Sequence, residues 1–235
     1  VIYRFDFNKN DSCNIIFRSS DNADFKISGK NIIRGWEASD GGRQYFHAEF
    51  SSPFDESGSF RSGTPKQGSE ISGNGVGIYT LFKNPEKSVE VRIGISFIDE
   101  EQAAANLHKE TADRKFESIS DESHKIWKES LGKIKVEGGT ERQKRIFYTS
   151  LYRSMERMVN ISEDGRYFSG YDKKVHTDDS RPFYVDDWLW DTYRSLHPLM
   201  LILDPSGQSD MVESYIRMYD QSGWMPGFPQ FYGDF

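Results

Sequence analysis

The residues best suited to chemistry lie close together in residues 186–198. Read at helical spacing, this stretch puts two carboxylates, an indole, a guanidinium and an imidazole on one face, namely Asp187, Trp190, Asp191, Arg194 and His197. Indoles stack on the apolar faces of sugar rings, while carboxylates and guanidinium groups hold hydroxyls in fixed geometry. This composition favours recognition of a small polar molecule such as a sugar.

A second interpretation of the same stretch is purely structural. The opposite helical face predicts a core contact through Leu189, Tyr193, Leu196 and Met200. Asp191 and Arg194 are spaced for a surface ion pair worth only a few tenths of a kcal/mol, and the two tryptophans would then simply pack. Composition alone leaves both interpretations open, and the nearby Trp224 and Pro226 favour the first.

Several motifs occur in order along most of the chain. They are VRIGISF at 91–97 followed by EQA at 101–103, FYTSLY at 147–152, DGRY at 164–167, WDTYR at 190–194 with HPL at 197–199, and GWMP at 223–226. On these motifs the chain resembles glycoside hydrolase family 92, the calcium-dependent exo-acting α-mannosidases. An ordered series of motifs is far more specific than any one of them.

The resemblance implies roles for four residues at the wall of the terminal mannose subsite. Asp191 is the position whose carboxylate contacts the bound sugar, with Trp190 beside it and Arg194 one turn further on. Trp224 matches the tryptophan of a Gly-Trp-x-Pro turn that approaches the same subsite. Asp191 ranks first among the four, and Trp190 ranks last because an indole on a helix is often part of the core.

Hydrolysis of a glycoside needs an acid to protonate the leaving oxygen and a second carboxylate to activate water or to attack. The resemblance implies inversion of configuration and a calcium ion that engages vicinal hydroxyls of the reacting sugar. It also implies that the acid, the base and the calcium ligands come from segments beyond Phe235. No catalytic residue and no metal ligand is therefore predicted within this chain.

Other acidic and imidazole side chains do not replace the missing groups. The acidic pairs 178–179 and 186–187 point apart on a strand or helix and lack the spacing of a calcium loop. The first pair is interpreted as solvated loop charge. His176 and His197 have no partners at ligand spacing, so both are predicted to be structural histidines rather than metal ligands.

Composition narrows the class of protein. The formal net charge is −7, and no basic stripe runs among the aromatic residues, so nucleic acid is not an expected partner. The single cysteine, Cys13, excludes an internal disulfide and a cysteine zinc site, and we expect it half-buried in a strand. No apolar run approaches the ~20 residues of a membrane span. Neither end resembles a natural terminus, so we expect a piece of a longer chain.

The first part of the chain has the pattern of short β-strands. Alternation is clearest between Val89 and Phe97, and Ser28-Gly29-Lys30 is typical of a hairpin turn. Many short strands separated by Gly, Ser, Asn and Pro favour a sandwich. Within it, residues 51–75 are rich in glycine and predict a mobile loop.

Helical patterns follow the strands. Asp99 with Gln102 caps a first helix, and residues 133–136 predict a strand that returns to the sandwich. Thr140 with Gln143 forms a capping box that opens the next helix. Pro198 predicts a break or kink. The last helix is predicted to open at Asp210 with Glu213 and to end at Gly223.

Together these patterns and the resemblance predict a mixed, multi-domain fold. We expect an antiparallel β-sandwich at 1–98, incomplete at its N-terminus, a helical linker with a returning strand at 99–139, and the first helices of a truncated (α/α)6 toroid at 140–235. The resemblance also implies that the first strands of the sandwich precede Val1.

We therefore expect part of a calcium-dependent exo-α-mannosidase that acts on mannose-containing glycans in the periplasm or outside the cell. Another sandwich-plus-toroid glycosidase or glycoside phosphorylase shares the coarse pattern and stays open as an alternative. A non-catalytic glycan-binding protein is the alternative from a different class, and it would lack the downstream acid and base.

Overall fold

The structure is a computed structural model, and it describes residues 1–7, 12–39, 42–83 and 88–234. The chain forms two compact units, Val1–Phe116 and Glu117–Phe235. Strands dominate the first unit and helices dominate the second. The domain boundaries expected from the sequence, at residues 98 and 139, stay a prediction.

The strands of the first unit are short and follow one another closely. Within the described residues they are β1 (Ile2–Asp6), β2 (Ser12–Arg18), β3 (Ala23–Ser28), β4 (Ile32–Ser39), β5 (Gly42–Phe50), β6 (Glu56–Arg61), β7 (Thr64–Lys66), β8 (Glu70–Gly73), β9 (Val76–Lys83) and β10 (Ser88–Ser96). A six-stranded sheet has the order β1-β10-β5-β4-β3-β8, and a four-stranded sheet has the order β2-β9-β6-β7. All neighbouring strands in both sheets are antiparallel.

The two sheets share one apolar core, because alternate side chains of each strand face inward. The six-stranded sheet contributes Phe25, Ile33 and Phe50, and the four-stranded sheet contributes Ile78 and Phe82. The predicted antiparallel sandwich and the hairpin at Gly29 are therefore confirmed. Cys13 is a strand residue as expected, but it is buried rather than half-buried.

The glycine-rich stretch 51–75 was predicted to be a mobile loop, and that prediction is wrong. It contains β6, β7 and β8, which pair into the two sheets. Its glycines lie at positions that need them, since Gly63 has φ +79° in the turn between β6 and β7. The glycines of this stretch belong to strands and to the turns between them, not to an irregular loop.

Helix α1 (Glu100–Thr111) packs on β10 and β5 of the first unit. The Asp99 side chain accepts a hydrogen bond from the Gln102 backbone N–H at 2.7 Å, as the capping signature predicts. A Cβ on Gly94 of β10 would lie 2.0 Å from the Ala103 carbonyl oxygen. Glycine at this position therefore permits the close approach of helix and sheet.

Five helices follow α1 among the described residues, and the first of them begins at the last residue of the first unit. They are α2 (Phe116–Leu131), α3 (Glu141–Ser154), α4 (Leu189–Thr192), α5 (Leu196–Leu203) and α6 (Pro205–Ser222). Three short ribbons lie between or after them, formed by β11 (Val159–Asn160) with β14 (Tyr184–Val185), β12 (Arg166–Phe168) with β13 (Val175–Thr177), and β15 (Pro229–Gln230) with β16 (Gly233–Asp234).

The start of α3 confirms the capping box predicted from Thr140 and Gln143, because both of its reciprocal hydrogen bonds are present. The strand predicted at residues 133–136 is absent from the described structure. Tyr148 of α3 holds this segment instead, since its hydroxyl donates to the Ile134 carbonyl at 3.1 Å and accepts from the Val136 N–H at 3.3 Å. These two hydrogen bonds to a side chain take the place of the backbone hydrogen bonds that a strand would have formed.

The single helical period read through residues 186–198 is wrong, because α4 and α5 are separate and Ser195 lies between them. The break or kink predicted from Pro198 is present. Pro198 explains the break. Its ring would clash with the carbonyl of Arg194 in a continuous helix, and it has no N–H to donate there. Pro198 instead occupies the first turn of α5, where the missing donor costs nothing.

Helix α6 begins earlier than predicted. Its N-cap is Asp204, whose side chain accepts from the Gly207 N–H at 3.2 Å. Asp210, predicted as the start, lies inside the helix and pairs with Arg181 at 2.9 Å. The predicted end is confirmed, since Gly223 closes the helix with φ +80°.

Candidate substrate-binding site

The centre of residues 186–198 is a buried carboxylate rather than an exposed one. Asp187 has no exposed surface, although the sequence placed it on the ligand-facing stripe. Its Oδ1 accepts from the Trp188 backbone N–H at 2.8 Å, and its Oδ2 accepts from the Thr192 hydroxyl at 3.2 Å. The Asp187 N–H donates to the Pro229 carbonyl at 2.9 Å. Asp187 therefore holds the start of α4 through its carboxylate and contacts β15 through its backbone N–H.

His197 of α5 completes the same cluster. Its Nε2 lies 2.9 Å from Asp187 Oδ2, and its Nδ1 lies within hydrogen-bond distance of the Gln208 side chain on α6. The hydrogen bond with Asp187 raises the pKa of His197 above its ordinary value, against the opposing effect of burial. The prediction that His197 is a satisfied structural histidine is confirmed.

Tyr215 of α6 is the third member, and its hydroxyl donates to Asp187 Oδ2. Burial and the neighbouring Asp187 together raise the pKa of the Tyr215 phenol, which stays protonated. Burial alone would raise the pKa of Asp187, but hydrogen bonds from His197, Tyr215 and Thr192 outweigh it and hold that pKa below its ordinary value. The carboxylate is therefore charged and fully engaged, so it is a structural anchor.

An aromatic surface lies over this anchor. Trp188 stacks on Phe228 with ring centroids 5.0 Å apart. The Arg157 guanidinium lies 4.4 Å from the Trp188 ring centroid and 3.6 Å from an Asp186 carboxylate oxygen. Beside them is an open cavity of about 580 Å³, lined by Leu189, Trp190, Tyr193, Gly227 and Phe228. Its aromatic walls suit the apolar face of a sugar.

Of the four residues to which the resemblance assigns the sugar subsite, only one lines the cavity. Trp190 lines the cavity and is 67% exposed, so it is not a core indole. Asp191, Arg194 and Trp224 are exposed but are not among the residues that line the cavity. Contact of these four side chains with a sugar stays a prediction.

The alternative in which Asp191 and Arg194 form an ion pair finds no support among the described residues. Arg194 Nε instead donates to the Tyr193 hydroxyl at 2.6 Å, with its guanidinium 5.4 Å from the Tyr193 ring centroid. The carboxylate of Asp191 is therefore left facing solvent. Tyr193, predicted to be core, is 48% exposed.

Phe228 lines the cavity although it was not predicted to do so, and Tyr193 lines the cavity although it was predicted to be core. Phe228 follows the GWMP motif by two positions, and an aromatic residue this close to the motif was the available signal. The error for Tyr193 follows from the helix break, because a continuous helical period does not hold beyond Thr192.

Two further charge assignments have outcomes in the structure. Asp178 is buried, with its Oδ1 accepting from the Ser180 N–H at 2.9 Å, so its assignment as solvated loop charge is wrong. His176 lies 3.0 Å from the Asp172 carboxylate and is a satisfied structural histidine, as predicted.

No helix among the described residues is long and apolar enough to cross a membrane.

Two parts of the chain match models of one protein family. Residues 102–233 match the model of the glycosyl hydrolase family 92 catalytic domain, and residues 1–96 match that of the family 92 N-terminal domain. A curated protein of Arthroderma benhamiae, described as an uncharacterized secreted glycosidase, is 36% identical over 86 residues, which are 34% of this chain and 11% of that protein.

Solved structures agree with the family models. A family GH92 inverting mannosidase of Bacteroides thetaiotaomicron is 29% identical with a TM-score of 0.88 over 97% of this chain and 32% of its own. A family GH92 alpha-mannosidase of the same organism has a TM-score of 0.90 at 22% identity, over 99% of this chain and 34% of its own.

This chain thus spans about a third of the length of these solved structures. The predicted fold class, a β-sandwich followed by the first helices of an (α/α)6 toroid, is confirmed by this likeness. With both of its units matched in order, the chain belongs to glycosyl hydrolase family 92.

Proposed function

We propose that this chain is part of an inverting, calcium-dependent exo-α-mannosidase that releases terminal mannose from glycans. The likeness of both units to the inverting mannosidase is the observation that carries the proposal. Since the chain covers about a third of that relative, the activity is proposed for the whole protein to which the chain belongs.

The role proposed for this chain is to hold the sugar. Trp190, Tyr193 and Phe228 offer ring faces around an open cavity, which supports stacking on the apolar face of a pyranose. Asp191 and Arg194 add a carboxylate and a guanidinium on the same segment, and such groups form the stronger hydrogen bonds to hydroxyls. The buried Asp187 keeps this segment in place beneath them.

Calcium takes about six to eight oxygen ligands. No group of three or more His, Cys, Asp or Glu residues in the described part of the chain could hold a metal ion. These residues therefore do not fit a calcium site, and none of the roles given to them passes through the metal. We assign the calcium ligands, the catalytic acid and the base to segments outside residues 1–235.

We also propose a periplasmic or extracellular location for the protein. The support is the Arthroderma relative that is described as secreted, together with glycans as the proposed substrate. Separation of medium, periplasm and cytoplasm, followed by antibody detection, checks this location.

The test is hydrolysis of an α-mannobiose by the full-length protein, followed by proton NMR from the first minute. Inversion breaks the C1–O bond while water adds from the opposite face, so β-mannose is expected first. Activity should disappear with EDTA and return with added calcium. An aryl β-mannoside and an aryl α-glucoside are the matched control substrates, and neither should be cleaved.

Each other outcome would contradict one part of the proposal or identify one of the alternative functions. Initial α-mannose would contradict inversion, and activity that persists in EDTA would contradict calcium dependence. Release that requires inorganic phosphate would identify a glycoside phosphorylase. Saturable binding of mannobiose without any release would identify a non-catalytic glycan-binding protein.

A further inference from the structure

The four-stranded sheet has an outer face that carries two aromatic rings. Alternate side chains of β9 are buried in the core, namely Val76, Ile78, Thr80 and Phe82. Gly77 and Tyr79 alternate with them and therefore face outward. On β6, Phe60 lies opposite Gly77 and Gly58 lies opposite Tyr79. Because directly opposed residues share a face, Phe60 and Tyr79 both lie on the outer side.

Each of these rings lies across a glycine of the neighbouring strand. A Cβ on Gly77 would lie 2.4 Å from Phe60 Cζ, and a Cβ on Gly58 would lie 2.6 Å from the Tyr79 hydroxyl oxygen. The rings occupy the space that side chains at those positions would need. Both rings are half-buried, so part of each remains open to solvent. We call these two rings and their two glycines the sandwich platform.

Polar groups lie on the Phe60 side of the sandwich platform. A cavity of about 460 Å³ is lined by Phe60, Arg18 and Glu37 among others. The Glu37 carboxylate is fixed because the buried Ser19 hydroxyl donates to it at 2.5 Å. Arg18 lies opposite Gly77 on the other neighbouring strand, and it is exposed. This side therefore offers an oriented acceptor and a donor next to a ring.

The Tyr79 side has a similar composition. A cavity of about 610 Å³ is lined by Tyr79, Gln67 and Ser69 among others, and the last two are exposed. Hydrogen-bonding groups of both kinds thus flank flat rings on either side. A purely apolar partner would leave these polar groups desolvated and unpaired. The cavity on the Phe60 side is lined by one cation and one anion, Arg18 and Glu37, so its charge does not favour a polyanion.

We propose that the sandwich platform is a saccharide-binding surface that takes a neutral glycan, in addition to the cavity beside α4. The two rings stack on apolar sugar faces, and the flanking side chains bind hydroxyls. Because the rings are held against the backbone by packing on glycine, little side-chain freedom is lost on binding. This inference does not depend on the function proposed for the whole protein.

The test is affinity electrophoresis of the full-length protein in gels with and without α-mannan, in EDTA. Phe60→Leu and Tyr79→Leu should each weaken retardation by about threefold to tenfold, the range of a lost ring interaction. In a Trp190→Ala background, which removes binding by the cavity beside α4, the double variant should lose retardation, while Tyr79→Phe, which keeps the ring, should retain it. Leu81→Ala, an outward non-aromatic residue of the same strand, is the matched control.

Several outcomes would overturn the proposal. They are wild-type protein that is not retarded, retardation that survives in the double variant in the Trp190→Ala background, and equal loss in Leu81→Ala. Retardation that disappears in Trp190→Ala but not in the double variant would assign all binding to the cavity beside α4.

A second measurement, made on wild-type protein, tests the proposal even if the substituted proteins do not fold. Saturation-transfer NMR on wild-type protein with α-mannotetraose should show transfer between the Phe60 and Tyr79 ring protons and the sugar, and its absence overturns the proposal. Hydrolysis of an aryl α-mannoside is measured in parallel. Binding without hydrolysis would contradict the mannosidase proposal alone, and hydrolysis without binding at the rings would contradict the platform alone.

Discussion

At the scale of single residues, two carboxylates of the same segment have opposite environments. Asp187 is fully buried and bonded to three side chains, whereas Asp191 is exposed and has no side-chain partner among the described residues. A buried charge that is fully hydrogen-bonded anchors local structure, while an exposed unpaired charge is available to a ligand. The difference identifies Asp191 as the residue to test for sugar binding.

Asp191→Asn should lower kcat/KM of the full-length enzyme on an aryl α-mannoside while leaving the fold intact. The change keeps the volume but weakens a charge-assisted hydrogen bond, which costs roughly 1.5–3 kcal/mol of transition-state stabilisation. The melting temperature should not change, because the carboxylate makes no ion pair with described residues. Asp220→Asn, an exposed aspartate on α6, is the control. Unchanged kcat/KM with a lowered melting temperature would make Asp191 a structural residue.

The Asp187–His197 pair predicts a pH dependence of stability. The pKa of His197 is raised by Asp187, so its contribution is fully present below the unfolded value of about 6.5 and is lost as pH rises through the folded pKa. The pKa of Asp187 is lowered by its hydrogen bonds, so its contribution is present above the unfolded value of about 3.9 and is lost as pH falls through the folded pKa. The pair therefore stabilises the fold most between these two values.

The measurement is the melting temperature of the full-length protein from pH 5 to pH 9. Wild-type protein should lose more stability on going to high pH than His197→Gln, which cannot be protonated. His124→Gln removes an exposed histidine of α2 and should follow the wild-type curve. Parallel curves for wild type and His197→Gln would rule out the coupling.

At the scale of elements, the success of prediction depended on whether the signal was local. The capping box at Thr140 and the helix end at Gly223 are determined by residues a few positions apart, and both are present as predicted. The failures involve partners distant in sequence. Residues 133–136 are held by the Tyr148 hydroxyl rather than by a strand, and no local pattern reports such a contact.

The same difference between local signals and partners distant in sequence applies to the site residues. Trp190 and Asp191 were selected from a motif, and their exposure agrees with a binding role. The burial of Asp187 depends on Tyr215, 28 positions further along, so a helical projection could not show it. Pro198 did carry a usable signal, because its clash with the carbonyl four residues earlier predicts the break at Ser195.

The helix end at Gly223 provides a test at this scale. Its φ of +80° lies in the left-handed region, where an added Cβ is strained. Gly223→Ala should therefore destabilise the protein by about 1–2 kcal/mol, the cost of a left-handed conformation for a residue with a Cβ. Urea unfolding provides the measurement. Gly227→Ala nearby has open space and no left-handed φ, so it should be nearly neutral, and equal losses for both would contradict this explanation.

At the scale of the whole molecule, the second unit presents apolar helix faces to solvent. The exposed fractions are 59% for Leu201 and 78% for Ile202 on α5, and 47% for Val212 and 46% for Ile216 on α6. Several large apolar side chains exposed on neighbouring helices are typical of an interface. The solved relatives are about three times as long as this chain, so helices of the complete toroid are the expected cover.

Residues 1–235 expressed alone should therefore associate and should not hydrolyse mannosides. Association follows from the uncovered faces of α5 and α6, since burying them between copies removes apolar surface from water. Inactivity follows because the acid, base and calcium ligands are assigned to other segments. Sedimentation velocity should show concentration-dependent species that Ile202→Lys reduces, with Lys125→Glu on α2 as the exposed control. A monodisperse monomer with EDTA-sensitive mannosidase activity would show that the catalytic groups lie within these residues.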